Sequence, residues 1–367
     1  MSEIVVFGAT GYTGELTARA LVARGAGPVL AGRSPKRLAA LAAELGGLQT
    51  RVADVADPAS VAALVGRGDV LLSTVGPFAR WGAPAVEASL AAGAHYIDST
   101  GEGVFVRRVF EEWGPRAAAG ESALITAFGY DFVPGNLAGG LALRDAGSEA
   151  SSVEVCYFPP GGGRLNEVSG GTRASAAGAM LEPAFCRRGG RIVTERGAAR
   201  IKHFNVRPGE QTAGFSLAGS EAFALPRLNP DLQAVDVYLA AGKASRPLAV
   251  FSAGLSAVTK VPGARSLLRG LMDRAVRGST GGPDADSRAN SSSFVLACVY
   301  DAAGGLLSEV RLEGVNVYTF TAEILAWGAM TAAAGDLQGA GALGPVDAYG
   351  LDALQEGAAG AGMTLAD

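Results

Sequence analysis

The stretch Ile4-Val5-Val6-Phe7-Gly8-Ala9-Thr10-Gly11-Tyr12-Thr13-Gly14 constrains this chain more than any other. Four unbroken apolar residues read as a strand covered on both faces, the habit of a parallel sheet rather than of a half-wet alternating strand. Gly8 and Gly11 let backbone N–H groups approach an anion with no Cβ in the way, and Gly14 lets the following helix lie close against the strand. The helix amino terminus adds donors and partial positive charge. Strand, glycine turn and helix in that order predict a site for a dinucleotide pyrophosphate, with Thr10, Tyr12 and Thr13 completing the turn. The Gly-x-x-Gly-x-x-Gly spacing is one residue longer in its first step than Gly-x-Gly-x-x-Gly. In a chain with 53 glycines its weight comes from context, a strand before it and a helix after it carrying Leu16, Ala20 and Leu21.

The alternation continues. Val29 to Gly32 and Leu48 to Ala53 read as strands around a helix carrying Leu38, Leu41 and Leu45. Strands at Val70 to Val75, His95 to Ser99 and Ala123 to Phe128 alternate with helices at Ser60 to Leu64, Pro84 to Ala92 and Val104 to Ala118. Six short apolar strands separated by helices predict an α/β fold, a Rossmann-type doubly wound parallel sheet, over residues 1–140. From about Ser151 the pattern changes: Val153 to Tyr157 and Val235 to Tyr238 alternate apolar and polar residues, so residues 141–318 are expected to form a second, α+β domain for substrate and dimerisation. Within it, Ala302-Ala303-Gly304-Gly305 is a hairpin turn by composition between Ser293 to Asp301 and Leu306 to Gly314, and Gly278 to Ser292 reads as a mobile loop. Residues 319–367, with an apolar helix from Thr319 to Ala334 and another from Asp352 to Gly362, are expected to pack back on the first domain.

Totals exclude several classes of function. A chain of 367 residues is long enough for two cores, and a formal net charge of -4 removes the attraction that nucleic-acid binding needs. No DNA or RNA partner is expected. Cys156, Cys186 and Cys298 are far apart and unpaired with histidine, and His95 and His203 stand alone, so neither a disulfide framework nor a metal site is indicated. The amino end enters the first strand without a basic and apolar leader, which with the thiols suits a cytoplasmic protein. No apolar run reaches the length of a membrane span. The longest, Pro247 to Val258 between Arg246 and Lys260, reads as buried core, with a peripheral contact to a membrane or an oily ligand as the alternative. The apolar residues around Leu248 to Leu271 exceed what one small domain needs to bury, which suggests a homodimer.

A plain NAD pattern would place an acidic residue at the end of the second strand. Here Gly32-Arg33-Ser34-Pro35-Lys36-Arg37 stands instead, with Arg33, Ser34 and Arg37 suited to the 2'-phosphate of NADP(H). A solvated basic helix start is the alternative. Asp54, after the third strand, could meet the adenine amino group or cap a helix. Val75-Gly76-Pro77-Phe78 and Gly129 end the fourth and sixth strands, on the carboxyl edge where ligands bind, and would flank the nicotinamide. For Phe78 and Tyr130, packing against the second domain is the competing use.

Together these segments resemble the saccharopine dehydrogenase-like reductases, in particular the trans-acting enoyl reductases that share their NADP-binding domain. The resemblance rests on Gly8 to Gly14, Ala31-Gly32-Arg33-Ser34, Thr74-Val75-Gly76-Pro77-Phe78, His95 to Glu102 and Gly129 to Leu137, with Ser169-Gly170-Gly171-Thr172, Ser175 and Tyr318 to Glu323 further along. It covers nearly the whole chain and is strongest over residues 1–140. Two departures stand out: family members commonly carry a small polar residue and a serine where this chain has Phe132 and Gly135, and Gly314-Val315-Asn316-Val317 lacks an Asp-Pro that often precedes the tyrosine.

The resemblance implies NADPH-dependent hydride transfer in an interdomain cleft to a small, hydrophobic molecule with an activated C=C bond, such as an enoyl lipid or polyketide intermediate. Reducing such a bond leaves an enolate that needs donors and then a proton. Tyr130, Asp131 and Thr172 are the residues expected to serve, with Tyr96 and Ser175 behind them. Two rivals stay open. One is reduction of a C=N bond, or its reverse, for which Arg164, Arg173, Arg187 and Arg188 could bind a carboxylate-rich substrate; the other is a non-catalytic NADP sensor.

Overall fold

Apolar side chains on both faces of a short strand need cover on both sides, and that requirement organises the first part of the molecule. The computed structural model describes residues 2–159, 182–207, 209–258 and 281–366. It divides into two units, one of Met1–Thr100, Phe105–Val133 and Val317–Met363, the other of Gly101–Val104, Pro134–Asn316 and Thr364–Asp367.

In the first unit, β1 (Ile4–Phe7), β2 (Val29–Gly32), β3 (Thr50–Val52), β4 (Val70–Ser73), β5 (His95–Asp98) and β6 (Ala123–Ile125) pair in parallel. A short strand that sequence patterning does not predict, Gly341–Ala342, adds to β6, so the order from that edge is Gly341–Ala342, β6, β5, β4, β1, β2, β3. This is the doubly wound parallel sheet expected from the alternation, with its direction of travel reversing between β1 and β4. One face packs Val5, Phe7, Leu71, Tyr96 and Leu124 against Val61, Val86, Phe105 and Trp113 from the helices below. The other is covered by α1 (Tyr12–Ala23) and the helix Val317–Ala334, which lies against β1, β4 and β5. Each fully buried Leu, Ile or Phe there contributes about 1.5–3 kcal/mol.

Local differences have identifiable causes. The helix expected over Val104 to Ala118 divides into α6 (Gly103–Arg108), a π turn Val109–Trp113 and α7 (Gly114–Ala119). Pro115 sits in the first turn of α7; it cannot donate a backbone N–H, and its ring blocks the carbonyl four residues earlier. The helix α8 (Val133–Ala146) is not evident from sequence because Pro134, Gly135, Gly139 and Gly140 resemble breakers. Gly139 instead permits close packing: a Cβ there would lie 2.7 Å from Leu225 Cδ1. In the first helix Ala20 and Leu21 are buried, while Leu16 is half-exposed.

The second unit is built on a mixed sheet. From β7 (Ser152–Phe158), β8 (Ala184–Arg188), β9 (Arg191–Glu195), β10 (Ile201–Arg207), β11 (Glu210–Leu217), β12 (Ala234–Ala240), β13 (Ser293–Tyr300) and β14 (Leu306–Gly314), the main path runs β10, β11, β12, β7, β13, β14. Only the β7–β12 pair on that path is parallel. Arg311 of β14 donates to Val206 O of β10 at 2.6 Å, so strands near opposite ends of the path meet and the sheet curls. Inside the curl, Cys156, Phe158, Phe204, Tyr238, Leu296 and Cys298 form a core.

Two expectations for this unit change. Gly278 to Ser292 contains, among its described residues, a helix at Ala285–Ala289 capped by Asp284, whose carboxylate accepts from Ser287 N at 2.8 Å. The apolar run Pro247 to Val258 lies in a helix, Ser245–Val258, that buries Ala249 and Ser252 but leaves Val250 and Phe251 74% and 54% exposed, so one face only is core. Apolar runs cannot reveal which side of a helix is covered. Among the described residues, no helix is long and apolar enough to cross a membrane, and no group of three or more His, Cys, Asp or Glu is placed to hold a metal ion.

Candidate functional site

Parallel register carries the strand ends to one edge. Phe7 pairs with Ala31 and Ser73, Gly32 with Val52, Ser73 with Asp98 and Ile97 with Ile125. The loops holding Gly8 to Gly14, Arg33 to Arg37, Asp54, Val75 to Phe78 and Gly129 to Asp131 therefore all leave the sheet on its carboxyl edge.

The glycine turn is tight. Gly8 N donates to Ala31 O at 2.9 Å and Gly11 N returns to Gly8 O at 2.8 Å. Gly8 has φ +92°, and a Cβ there would lie 2.7 Å from Thr74 Oγ1; at Gly14 it would lie 2.2 Å from Gly8 O. Those two positions leave no room for a side chain, whereas at Gly11 the Cβ would meet Gly8 O at 3.2 Å, a milder contact. Gly11 is the N-cap of α1 and brings no side-chain acceptor, so the first-turn donors are not consumed by a cap. Thr74, to which sequence alone assigns no role, donates its N–H to Phe7 O at 2.9 Å and packs its hydroxyl against the turn. Thr10 and Thr13 are half-buried in the turn, and the Tyr12 ring stands edge-on to Tyr318, centroids 5.2 Å apart.

At the end of β2, Ser34 caps α2 (Pro35–Glu44), accepting from Arg37 N at 3.4 Å. The Arg37 guanidinium donates to Thr10 O, tying this loop to the glycine turn. Arg33 and Lys36 are exposed, and no ion pair joins either to a carboxylate of the described residues. Two cations beside a glycine cradle, with no acid to neutralise them, fit a phosphate monoester. Asp54 serves its own loop, its Oδ1 accepting from Ala56 N at 2.9 Å, while the N-cap of α3 (Pro58–Ala62) is Asp57.

Val75 is half-buried and Gly76 exposed, ahead of a cis Gly76–Pro77 bond. The ring of Phe78, which begins α4 (Phe78–Trp81), turns inward against Phe105 at 5.7 Å, so this loop offers the edge its backbone and Pro77 rather than the phenyl face. Gly129 fits under Thr321, whose Cγ2 would lie 2.9 Å from a Cβ. Tyr130 is buried, its N–H donating to Thr321 Oγ1 at 3.0 Å and its ring edge-on to Phe320 at 6.5 Å. Asp131 is exposed, and the protein around its carboxyl group pushes its pKa up to about 6. Thr172, with Ser169, Gly170, Gly171 and Ser175, lies outside the described residues.

One group escapes sequence patterning. Asp98, the last residue of β5, is wholly buried; its Oδ1 accepts from Thr100 N at 2.8 Å and Ala127 N at 3.0 Å, and its Oδ2 from Thr126 Oγ1 at 2.8 Å. Burial raises its pKa to about 6, the three hydrogen bonds opposing the shift. The Tyr96 hydroxyl, also buried, has Ser73 and Asp98 as polar neighbours but meets hydrogen-bond geometry with neither; burial and the Asp98 charge raise its pKa. A carboxylate closing an otherwise apolar strand, in His95-Tyr96-Ile97-Asp98, is the signal that could have pointed to it. A cavity of about 480 Å³, walled by Arg24, Trp327, Tyr349 and Gly357, lies beyond the carboxyl end of α1 and contains none of these groups.

Comparison with known proteins bears on the same segment. Residues 4–122 match the family described as Saccharopine dehydrogenase NADP binding domain. The trans-acting enoyl reductase of Mycobacterium ulcerans (strain Agy99) is 41% identical over 141 residues, 37% of this chain and 34% of that protein. That of Mycobacterium leprae (strain TN) is 42% identical over 141 residues, with the same coverage. The match thus spans about a third of the relatives' own length. Apo saccharopine dehydrogenase (L-Glu forming) from Saccharomyces cerevisiae shares the fold over 97% of this chain and 96% of its own, with TM-score 0.58 and 14% identity.

Proposed function

We propose, from the match of residues 4–122 to the Saccharopine dehydrogenase NADP binding domain, that this protein is an NADPH-dependent reductase of an activated C=C bond, of the enoyl lipid or polyketide kind. The observation that carries the reading is the pairing of a glycine turn closed to any Cβ at Gly8 and Gly14 with the exposed cations Arg33 and Lys36 at the end of β2, which form no ion pair with a carboxylate of the described residues. The names of the relatives supply the C=C choice.

In this reading the amides of Tyr12 to Gly14 would take the pyrophosphate and Arg33, Ser34 and Arg37 the 2'-phosphate, the Gly11 amide being held by Gly8 O. Val75 to Pro77 and Gly129 flank the nicotinamide, with the Phe78 backbone completing that loop. Bound NADPH supplies the hydride. A substrate enolate left at the carbonyl side needs a proton at its α-carbon, and we assign its delivery to Asp131, whose pKa, raised to about 6, leaves about a tenth of it protonated at pH 7. The Tyr130 hydroxyl and Thr172 are the donors assigned to the enolate oxygen. For a carboxylate-rich imine the arginines should be free. Of the four, Arg188 is instead paired with Asp236 at 2.5 Å and Arg187 Nε donates to Leu232 O at 2.9 Å, which supports the C=C reading for these two, while Arg164 and Arg173 lie outside the described residues.

We read the protein further as a cytoplasmic homodimer with a hydrophobic substrate. Its three cysteines are buried free thiols, and exposed Val250 and Phe251 offer apolar surface to a second copy. Light scattering tests the dimer. The function is tested by NADPH consumption against enoyl thioesters and cyclic imines. Turnover of enoyl thioesters alone is the expected result, turnover of imines alone would transfer the activity to C=N, and cofactor binding with no turnover of either would leave a sensor.

A further inference from the structure

The loop from Thr126 to Phe132 carries Gly129, Tyr130 and Asp131, yet it belongs to no helix or strand and needs something to fix it. Two side chains do so from opposite sides. Asp98, from β5, takes Thr126 Oγ1 and Ala127 N, and its own carbonyl accepts from Phe128 N at 2.7 Å. Thr321, from the helix Val317–Ala334, takes Tyr130 N at 3.0 Å while its hydroxyl donates to Val317 O at 2.7 Å. Between them, Ala127 is held at φ 58°, a left-handed conformation that residues with a Cβ rarely adopt and that persists only where surrounding bonds dictate it. Ala127 O then receives Phe132 N at 2.7 Å, closing the loop on itself.

A buried carboxylate is an expensive way to hold a loop, since a neutral acceptor would avoid the desolvation that Asp98 suffers. What the carboxylate offers is three acceptor positions filled at once, two on one oxygen and one on the other, joining the ends of β5 and β6 through a single group. Both strand ends lie on the edge that receives the nicotinamide in the function proposed above, and the inference rests on that reading. We propose that Asp98 and Thr321 are positioning residues that fix loop 126–132 against the nicotinamide half of NADP(H), without touching the cofactor themselves and without a part in holding its adenosine half.

The test separates the two halves with two probes, NADPH and adenosine 2',5'-bisphosphate, on the full chain by calorimetry and by NADPH fluorescence. Thr321→Val keeps the shape and removes the acceptor for Tyr130 N. Loss of one such bond should weaken NADPH about 5–10-fold and reduce the fluorescence gain of the bound nicotinamide, leaving the bisphosphate within about twofold of wild type. Asp98→Ala should do the same more strongly. Asp98→Asn should restore wild-type behaviour, because the amide oxygen can accept both N–H groups and the amide nitrogen can donate to Thr126. If Asp98→Ala does not fold, Thr321→Val and Asp98→Asn still decide the matter. Equal weakening of both probes would reduce these residues to general scaffolding and overturn the proposal, as would unchanged NADPH affinity and fluorescence in Thr321→Val. Wild-type protein that bound neither probe would remove the cofactor reading and this proposal with it.

Discussion

The two sheets handle polar groups in opposite ways. In the parallel sheet of the first unit the central strands are mostly apolar, and most polar chemistry lies in the loops beyond the strand ends. Charge within the strands is sparse: Arg51 of β3 pairs with Glu3 at 2.7 Å, and the buried Asp98 of β5 is tied to loop backbone and a threonine rather than to another charge. The mixed sheet of the second unit places charges along the strands and compensates them across it. Asp236 of β12 bridges Arg188 of β8 at 2.5 Å and Arg200 at 2.7 Å, Arg200 also binds Glu195, and Lys202 of β10 binds Glu154 of β7. Cys298 donates to Glu309 of the next strand at 3.6 Å. The lesson is that similar residue types mean different things: at a parallel edge an exposed cation is available to a ligand, while within a curled mixed sheet an arginine is already engaged.

The largest test of that contrast is Gly14→Ala. Its Cβ would meet the backbone oxygen of Gly8 at 2.2 Å, so the turn must open; we expect NADPH binding to fall by more than about 100-fold and the unit to lose about 1–3 kcal/mol, read by calorimetry and thermal melting. Retained affinity would break the assignment of the edge.

Next is the pH dependence that Asp98 imposes. Its folded pKa, about 6, lies above the ordinary aspartate value of 3.8, so the folded state binds the extra proton. The resulting contribution is fully present below about pH 4 and lost as pH rises through about 6, on the order of 3 kcal/mol for two units. Asp98→Asn should remove that slope: the stability difference between variant and wild type, from urea melts, should grow in favour of the variant from about pH 4 to about pH 6.5. A constant difference would mean that the carboxylate is not desolvated.

Asp236→Asn should cost about 1–3 kcal/mol, because two arginines lose their shared charge but keep about a third of their surface in water, and it should leave NADPH affinity unchanged. A change in affinity would show that the second sheet is not the purely internal network described above. Smallest, Arg33→Asp should weaken NADPH about tenfold or more with little effect on NADH and none on the melting temperature, since the residue is exposed. Equal losses for both coenzymes would return Arg33 to the solvated helix start.

Much of the first sheet was legible because its signals are local. Four-residue apolar runs, the helical spacing of Leu38 and Leu41, and glycines at a strand-to-helix junction all act over a few residues, and β1 and β2 fall where the sequence places them. Gly341–Ala342 was illegible, since two small residues carry no periodicity and become a strand only because β6 presents an open edge. β8 to β11 were equally opaque: their polar residues look solvated until a partner some tens of residues away takes them partly out of water, as Glu154 does for Lys202 of β10.

For the candidate site the division is the same. The glycine turn and the basic end of β2 could be read directly, because backbone freedom and formal charge belong to the residue. Thr74, Asp98 and Thr321 could not, because a threonine or aspartate becomes a clamp only when another segment delivers its donors or acceptors; for Tyr130 and Thr321 that segment is 191 residues away. The amino-acid sequence by itself determined the parallel sheet, its ligand-binding edge and the sign of the charge waiting there, all consequences of short-range sterics and composition. Only the tertiary structure decided which polar side chains hold that edge in place, because hydrogen bonding depends on positions within about 3 Å that residues distant in the chain reach only once packing has brought them together.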